Sequence, residues 1–349
     1  MRKNKETVFV GVSGGVDSSV SLAILKEKGY NVVGCFIKTW QPDFIECTWK
    51  EERRDAMRIC AALDVPFLTI DAEEEYRDAV AMYMINEYKA GRTPNPDVMC
   101  NKEVKFGVFL KKALELGADF VATGHYARAE NGQLFRGADF DKDQSYFLWT
   151  LTRDQIKKIK FPIGDLNKKE VRNIAKKYGL LTAEKKDSQG VCFLGPIDMK
   201  DFLAHYIPVK EGKVLDLSGE EIGKHDGALF YTLGERHGFK ITKKGTDDNR
   251  LYVVARDLDK NTITVSSDVN ETATEQKKEI KIKDANWIRK PESGKKYFAQ
   301  IRYRQKPEGC VMNEDTIIFD NPQNTAAEGQ SLVVYEGDEC LGGGVIDNK

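Results

Sequence analysis

The fold is decided by Val8-Phe9-Val10-Gly11-Val12-Ser13-Gly14-Gly15-Val16-Asp17-Ser18-Ser19. Its first three residues are apolar and β-prone, and read as a strand. Val16, Val20, Ala23 and Ile24 then recur at helical spacing until Gly29 ends the run. A strand, a glycine turn and a helix start in that order make an anion site. Glycines let the backbone come close to a ligand, and the free N–H groups of the first helical turn point at it. The hydroxyls of Ser13, Ser18 and Ser19 are expected to add hydrogen bonds to phosphate oxygens. The Gly-Lys-Ser/Thr ending of a Walker A loop is missing, so no lysine within the stretch reaches a γ-phosphate. Such a loop suits pyrophosphate and points to chemistry on an α-phosphate. The alternative is a plain strand–helix turn capped by Asp17 or Ser18.

Further along, Asn31–Lys38, Pro66–Asp71 and Ala118–Thr123 read as strands. Glu51–Leu63, Glu73–Tyr88 and Val104–Leu116 read as helices. This alternation predicts a parallel, doubly wound sheet, whose ligands sit at the carboxyl ends of the strands. Three places should therefore converge: the Ser13–Ser18 loop, the end of the second strand near Ile37, and Gly124-His125-Tyr126. Two prolines and a glycine in Ala90–Cys100 argue against regular structure there. Asn131-Gly132 suits a type I′ hairpin turn. Thr152 with Gln155 and Asn167 with Glu170 have capping-box spacing. From about Pro208 short alternating segments replace helices, among them Lys213–Leu217, Tyr297–Arg304 and Ser331–Tyr335. This half reads as all-β, with Asn270–Lys278 as a linker between two small units.

Composition narrows the function. The 349 residues carry a formal net charge of −1, so any nucleic-acid contact must come from local patches. No apolar stretch is long enough to span a bilayer, and the start lacks a signal-peptide core, so a cytoplasmic protein without a membrane partner is expected. The seven cysteines, at 35, 47, 60, 100, 192, 310 and 340, are scattered and form no CxxC pair. That pattern fits neither a secreted disulfide framework nor a zinc site, and no bound metal-ligand set is expected.

Two cysteines stand in conspicuous settings. Cys100 follows Asn95-Pro96-Asp97, precedes a predicted helix start at Asn101, and has Lys89, Arg92, Lys102 and Lys105 nearby in sequence. A helix N-terminus and nearby cations favour the thiolate, although a small buried cysteine would look the same. Cys192 lies in Val191-Cys192-Phe193-Leu194, which reads as a buried strand, yet it follows the polar, glycine-bearing Asp187-Ser188-Gln189-Gly190. It is either a core residue or a thiol carried on a loop.

The string SGGVDS resembles the signature of the PP-loop ATP pyrophosphatases. SGGVDSS, AGRTPNPDVMCNKEVKF, TGHYAR, KDQSYFL, KKDSQGVCFLG, YTLGERHGF, IRYRQ and LGGGVI, in that order, resemble the bacterial tRNA 2-thiouridylase family over essentially the whole chain. The resemblance implies an adenine nucleotide alpha hydrolase-like PP-loop domain (1–205), a central β domain (206–272) and a β-barrel-like tRNA-binding domain (273–349).

It also implies ATP-dependent 2-thiolation of the wobble uridine of tRNAs of the Lys, Glu and Gln type. ATP, with Mg2+, would adenylate the C2 oxygen and be held by Gly11, Val12, Ser13, Gly14, Gly15, Val16, Asp17, Ser18, Ile37 and Gly124. Many relatives carry methionine where Ile37 stands. Cys192 would carry a persulfide received from a cysteine desulfurase or relay protein, and Cys100 would be its partner thiol. Asp97 would serve as general acid/base. The tRNA would be held by Asn95, Pro96, Asp97, His125, Lys142, Asp143, Gln144, Arg302, Tyr303 and Gln330. No iron–sulfur cluster is expected. A PP-loop synthetase or amidotransferase acting on a small metabolite would explain SGGVDS but leave both thiols and the β half without a task. A non-catalytic RNA-binding protein would bind tRNA without ATP turnover.

Overall fold

Strand β1 (Thr7–Gly11) forms as expected and lies at the centre of a five-stranded parallel sheet. Its neighbours are β2 (Asn31–Lys38), β3 (Phe67–Asp71), β4 (Phe120–Ala122) and, at the far edge, β7 (Ile159–Lys160). The order is β3-β2-β1-β4-β7, with Gly11 opposite Cys35 and Val10 opposite Ala122. The strand order reverses at β1, so the crevice beyond the carboxyl ends of β1 and β4 is the ligand-binding switch point of a doubly wound sheet. This computed structural model describes residues 5–45, 48–186, 198–243, 250–268, 277–323 and 326–347.

The sheet is stabilised from both faces because β1 alternates. Val8 and Val10 pack with Leu22 and Leu25 of α1 (Val16–Glu27) and with Ile59 and Cys60 of α2 (Trp49–Ala62). Phe9 turns the other way, into a core with Tyr76, Met84, Val104 and Phe109. Burial of side chains this large contributes about 1.5–3 kcal/mol each, which holds the switch point rigid.

One helical segment departs from its sequence reading. The helix expected at Val104–Leu116 begins instead at Pro96, with Asn95 as N-cap, and passes through a π-helical segment, Cys100–Val108, before Phe109–Glu115. Proline is favoured at the first helical position because its missing N–H has no partner there anyway. Cys100 is therefore in the second turn and not ahead of the helix.

The β half contains two sheets. In the central one β8 (Gly212–Leu215), β9 (Glu221–His225), β10 (Lys240–Ile241), β11 (Tyr252–Asp257) and β12 (Thr262–Ser266) run in the order β10-β9-β8-β12-β11. In the last, β13 (Lys277–Trp287), β14 (Lys296–Gln300), β15 (Glu308–Asn313), β16 (Thr316–Gln323), β17 (Ser331–Glu336) and β18 (Glu339–Asp347) close into a six-stranded barrel through the β13–β18 pairing. The expected linker lies mostly outside the described residues, and its last two residues begin β13.

The barrel is bolted to the parallel-sheet unit. Hairpin β5 (Ala127–Glu130) and β6 (Gln133–Arg136), with Asn131 and Gly132 both at positive φ as a type I′ turn requires, extends the barrel sheet. Cys340 of β18 pairs with Leu134. Tyr146 Oη donates to the Ser331 carbonyl (2.8 Å), and Trp149 Nε1 donates to Ser331 Oγ (3.0 Å). These groups are buried, so leaving one unpaired would cost about 1–3 kcal/mol. Among the described residues no helix is long and apolar enough to cross a membrane.

Candidate active site

The glycine loop leaves β1 at Gly11 and turns into α1. Val12 N–H donates to the Cys35 carbonyl (2.7 Å), which seats the loop on the end of β2. Gly14 has φ +76, and a Cβ there would meet the Glu52 carbonyl of α2 at 2.9 Å. A side chain is excluded both by backbone conformation and by space. Gly15 is the N-cap of α1 and supplies no side-chain cap. Ser13 N–H donates to Ser18 Oγ (3.2 Å), and the two hydroxyls lie 3.3 Å apart, on the loop. Ser19 differs from its expected role: it is fully buried, and its hydroxyl donates to the Gly15 carbonyl (2.6 Å).

The loop after β4 closes onto this cradle. A Cβ at Gly124 would lie 2.6 Å from Ser18 N and 2.7 Å from Asp17 C. Only glycine allows so close an approach to the first turn of α1. Ile37 is buried in β2, opposite Ile70, and faces the core, which leaves its backbone at the strand end.

Two cations that the local motif lacks arrive from elsewhere. Lys168 Nζ lies 2.8 Å from both carboxylate oxygens of Asp17, which also accepts from Tyr126 Oη (2.9 Å). Lys185 Nζ donates to the Gly14 carbonyl (3.0 Å) and pairs with Asp55 (2.9 Å). Lys168 opens the helix Lys168–Lys177, whose capping box of Asn167 and Glu170 is formed as expected. The capping box was the available signal for where Lys168 would sit, but nothing near it in sequence announces Asp17.

The helix that carries Asp97 and Cys100 meets the exit loop of β4. Asn95 Oδ1 accepts from Val98 N–H (3.3 Å), starting the helix on which Asp97 and Cys100 lie. Cys100 is fully buried in the core cluster with Val98, Val104 and Phe106. On the same helix Lys105 Nζ lies 3.4 Å from Nε2 of His125, the residue after Gly124. His125 is buried between Phe106 and Phe161, with Nδ1 2.6 Å from Thr123 Oγ1. Burial, and secondarily the Lys105 ammonium, hold its pKa well below the usual histidine value, so the ring is neutral. Gly124 thus touches the phosphate cradle and His125 the thiol-bearing helix. Cys192 lies outside the described residues.

The residues expected to meet RNA fall in two groups. Asp143 is buried: it accepts from Gly137 N–H, Ser145 N–H and Ser145 Oγ, each at 3.0 Å. Burial raises its pKa against those hydrogen bonds. Gln144 accepts from Tyr126 N–H (3.0 Å), directly behind the Tyr126–Asp17 contact. Lys142 and Tyr303 line a cavity of about 260 Å³ between the two units, together with Arg136, Phe140 and Arg304. Arg302 and Tyr303 are not in a strand as expected. β14 stops at Gln300, and the chain turns through Arg304 at φ +61. Arg302 donates to the Leu233 carbonyl (3.5 Å), and the Tyr303 ring packs on Phe147 at 4.5 Å. Gln330 Nε2 donates to the carbonyls of Thr93 (3.1 Å) and Pro94 (3.0 Å), just ahead of Asn95.

Comparison with known proteins gives a consistent picture. Residues 6–196 match the tRNA methyl transferase HUP domain, 200–267 the tRNA methyl transferase PRC-barrel domain and 277–346 the aminomethyltransferase beta-barrel domain. The chain is 47% identical over 354 residues to tRNA-specific 2-thiouridylase MnmA of Geobacillus thermodenitrificans, covering 97% of this chain and 94% of that protein. It is 46% identical over 360 residues to the Staphylococcus saprophyticus protein of the same name, covering 99% and 96%. Among solved structures, a 4-thiouridine synthetase–RNA complex with bound ATP aligns over 58% of this chain and 50% of that one, with 19% identity and a TM-score of 0.38.

Proposed function

Because the chain belongs to the tRNA-specific 2-thiouridylase family, we propose that it activates the wobble uridine of tRNA with ATP and replaces its C2 oxygen by sulfur from a cysteine persulfide. The observation that carries this reading is the shared exit loop of β4. Gly124 abuts the glycine cradle, and His125 faces Lys105 on the helix of Cys100.

In this reading Gly11–Ser18, Ile37 and Gly124 hold ATP. The C2 oxygen of uridine attacks the α-phosphorus and pyrophosphate leaves, taken up by the free N–H groups of the first turn of α1 and by Lys168 and Lys185. A carbonyl oxygen is a poor leaving group, and its AMP ester is a good one. Magnesium arriving with the triphosphate would supply further charge neutralisation, and Asp17 would face it only on giving up Lys168, which pairs with both its carboxylate oxygens. Asp97 takes the N3 proton of uridine as the C2 oxygen is adenylated and returns it to the base when the thiocarbonyl forms.

The terminal sulfur of the Cys192 persulfide attacks C2 and displaces AMP; the Cys100 thiolate then attacks Cys192 Sγ, which breaks the persulfide S–S bond, leaves the terminal sulfur on C2 and closes a Cys100–Cys192 disulfide. That bond needs Cα atoms about 4.4–6.8 Å apart, and a thiol reductant restores the pair. We take residues 1–205 as the catalytic unit, and 206–272 and 273–349 as the units that grip tRNA. Substrates are then tRNAs of the Lys, Glu and Gln type, with sulfur supplied by a cysteine desulfurase or its relay.

Extraction of the base from its stack, which modification of a loop base requires, falls to the Asn95–Asp97 segment and to Lys142, Gln144, Arg302 and Tyr303. Replacing Arg302 by alanine should weaken tRNA binding and flatten its salt dependence. Mass spectrometry of nucleosides from tRNA incubated with the enzyme, ATP and a persulfide source tests the whole reading. 2-Thiouridine that forms only when ATP is present is the expected result, and its absence rejects the reading.

A further inference from the structure

The segment 90–95, which delivers Asp97 and Cys100, is held by both appended β units. From the barrel, Gln330 reaches the Thr93 and Pro94 carbonyls, and the Glu328 carbonyl accepts from Thr93 N–H (2.8 Å). Gly329, at φ +92, lies so close that a Cβ would meet the Thr93 carbonyl at 3.0 Å. From the central sheet comes Arg256 of β11, just past the register shift between Val253 and Ala255. Its Nη1 donates to the Tyr231 carbonyl (2.7 Å) and its Nη2 to the Gly91 carbonyl (2.7 Å). One planar guanidinium therefore ties the central sheet to the stem of the catalytic segment, a geometry that lysine cannot reproduce. Burial disfavours the Arg256 charge, and Tyr88, Glu328 and Glu235 oppose that effect. Glu328 belongs to the barrel, so parts of all three units surround this cation. The chemistry proposed above makes no use of it.

We propose that Arg256 is a positioning residue for thiolation: by anchoring the Gly91 carbonyl it sets where Asp97 and Cys100 meet the uridine. The inference rests on the reading that those two residues act on the base. It makes the central β unit part of the reaction geometry as well as of the RNA grip. Small misplacements of reacting groups lower rates far more than they lower affinity.

The test uses the full-length enzyme with saturating ATP and a persulfide donor. It compares the wild type with Arg256→Met and Arg256→Lys. Single-turnover thiolation at saturating tRNA should fall by about tenfold or more in Arg256→Met, with tRNA affinity within about twofold of wild type. Arg256→Lys, able to reach one carbonyl, should fall between the two. A full single-turnover rate in Arg256→Met overturns the proposal. So does weakened tRNA affinity with an unchanged saturated rate, which would make Arg256 an RNA contact. If Arg256→Met shows no cooperative melt, Arg256→Lys decides: a severalfold rate loss at unchanged affinity supports the role, and a full rate rejects it. A wild-type enzyme that does not thiolate tRNA would instead reject the underlying reading.

Discussion

Lys168 Nζ stands 2.8 Å from both carboxylate oxygens of Asp17, a residue 151 positions earlier in the chain. A phosphate cradle without a lysine of its own thus acquires one through the fold. Removing this cation should weaken chemistry on the α-phosphate. Lys168→Met is expected to lower tRNA-stimulated pyrophosphate release by about 10²-fold, the usual effect of losing one preorganised charge donor. Release measured with labelled ATP at saturating tRNA checks it, and a rate within twofold of wild type would remove Lys168 from the phosphate site.

The two-thiol scheme separates activation from sulfur delivery. Cys100→Ser and Cys192→Ser should each abolish 2-thiouridine formation while tRNA-dependent pyrophosphate release continues. Nucleoside mass spectrometry and labelled ATP, applied to the same samples, read the two steps independently. Normal thiolation in either variant would rule the scheme out.

Gly124 has no room for a side chain, because its would-be Cβ contacts backbone atoms of Asp17 and Ser18. Gly124→Ala must therefore displace the first turn of α1. Overpacking of this kind costs about 1–3 kcal/mol. The variant should melt at a lower temperature and show a raised KM for ATP, whereas unaltered ATP kinetics would mean that the β4 loop and the cradle are not coupled.

His125 predicts a pH dependence of stability. Its folded-state pKa is depressed, first by burial and then by Lys105, while in the unfolded chain it titrates near the ordinary value, 6.5. Below that value the unfolded state binds a proton that the folded state refuses. The stability from a neutral His125 is thus present above pH 6.5 and is lost as pH falls below it, by at most about 1.4 kcal/mol per pH unit. Urea unfolding of wild type and His125→Gln between pH 5 and 8 should show the wild type losing stability relative to the variant only on the acid side. Parallel curves would mean that folding leaves the His125 pKa at its ordinary value.

Much of this architecture could be read from adjacent residues. SGGVDS, the Asn131-Gly132 turn and the two capping boxes each depend on a few consecutive residues. Their preferred φ values and hydrogen bonds need no distant partner. The alternation of strand and helix patterns likewise implied the parallel sheet and a site at its switch point. The helix start at Pro96 is hidden in the sequence for a local reason: proline reads as a breaker, yet it is well placed at a first helical position.

Contacts between remote segments had no such local signal. Lys168 and Lys185 join the cradle from 151 and 171 residues away. Gln330 and Arg256 converge on the segment ahead of Asp97 from two different β units. Each depends on where the chain returns after a hundred residues or more, or on which face of an element becomes buried. The motifs therefore specified a nucleotide cradle and its likeness to a thiolating family, because short-range backbone geometry is encoded residue by residue. Which cations complete the cradle, and what holds the segment ahead of Asp97, were decided by packing, because such contacts exist only after remote segments have come together.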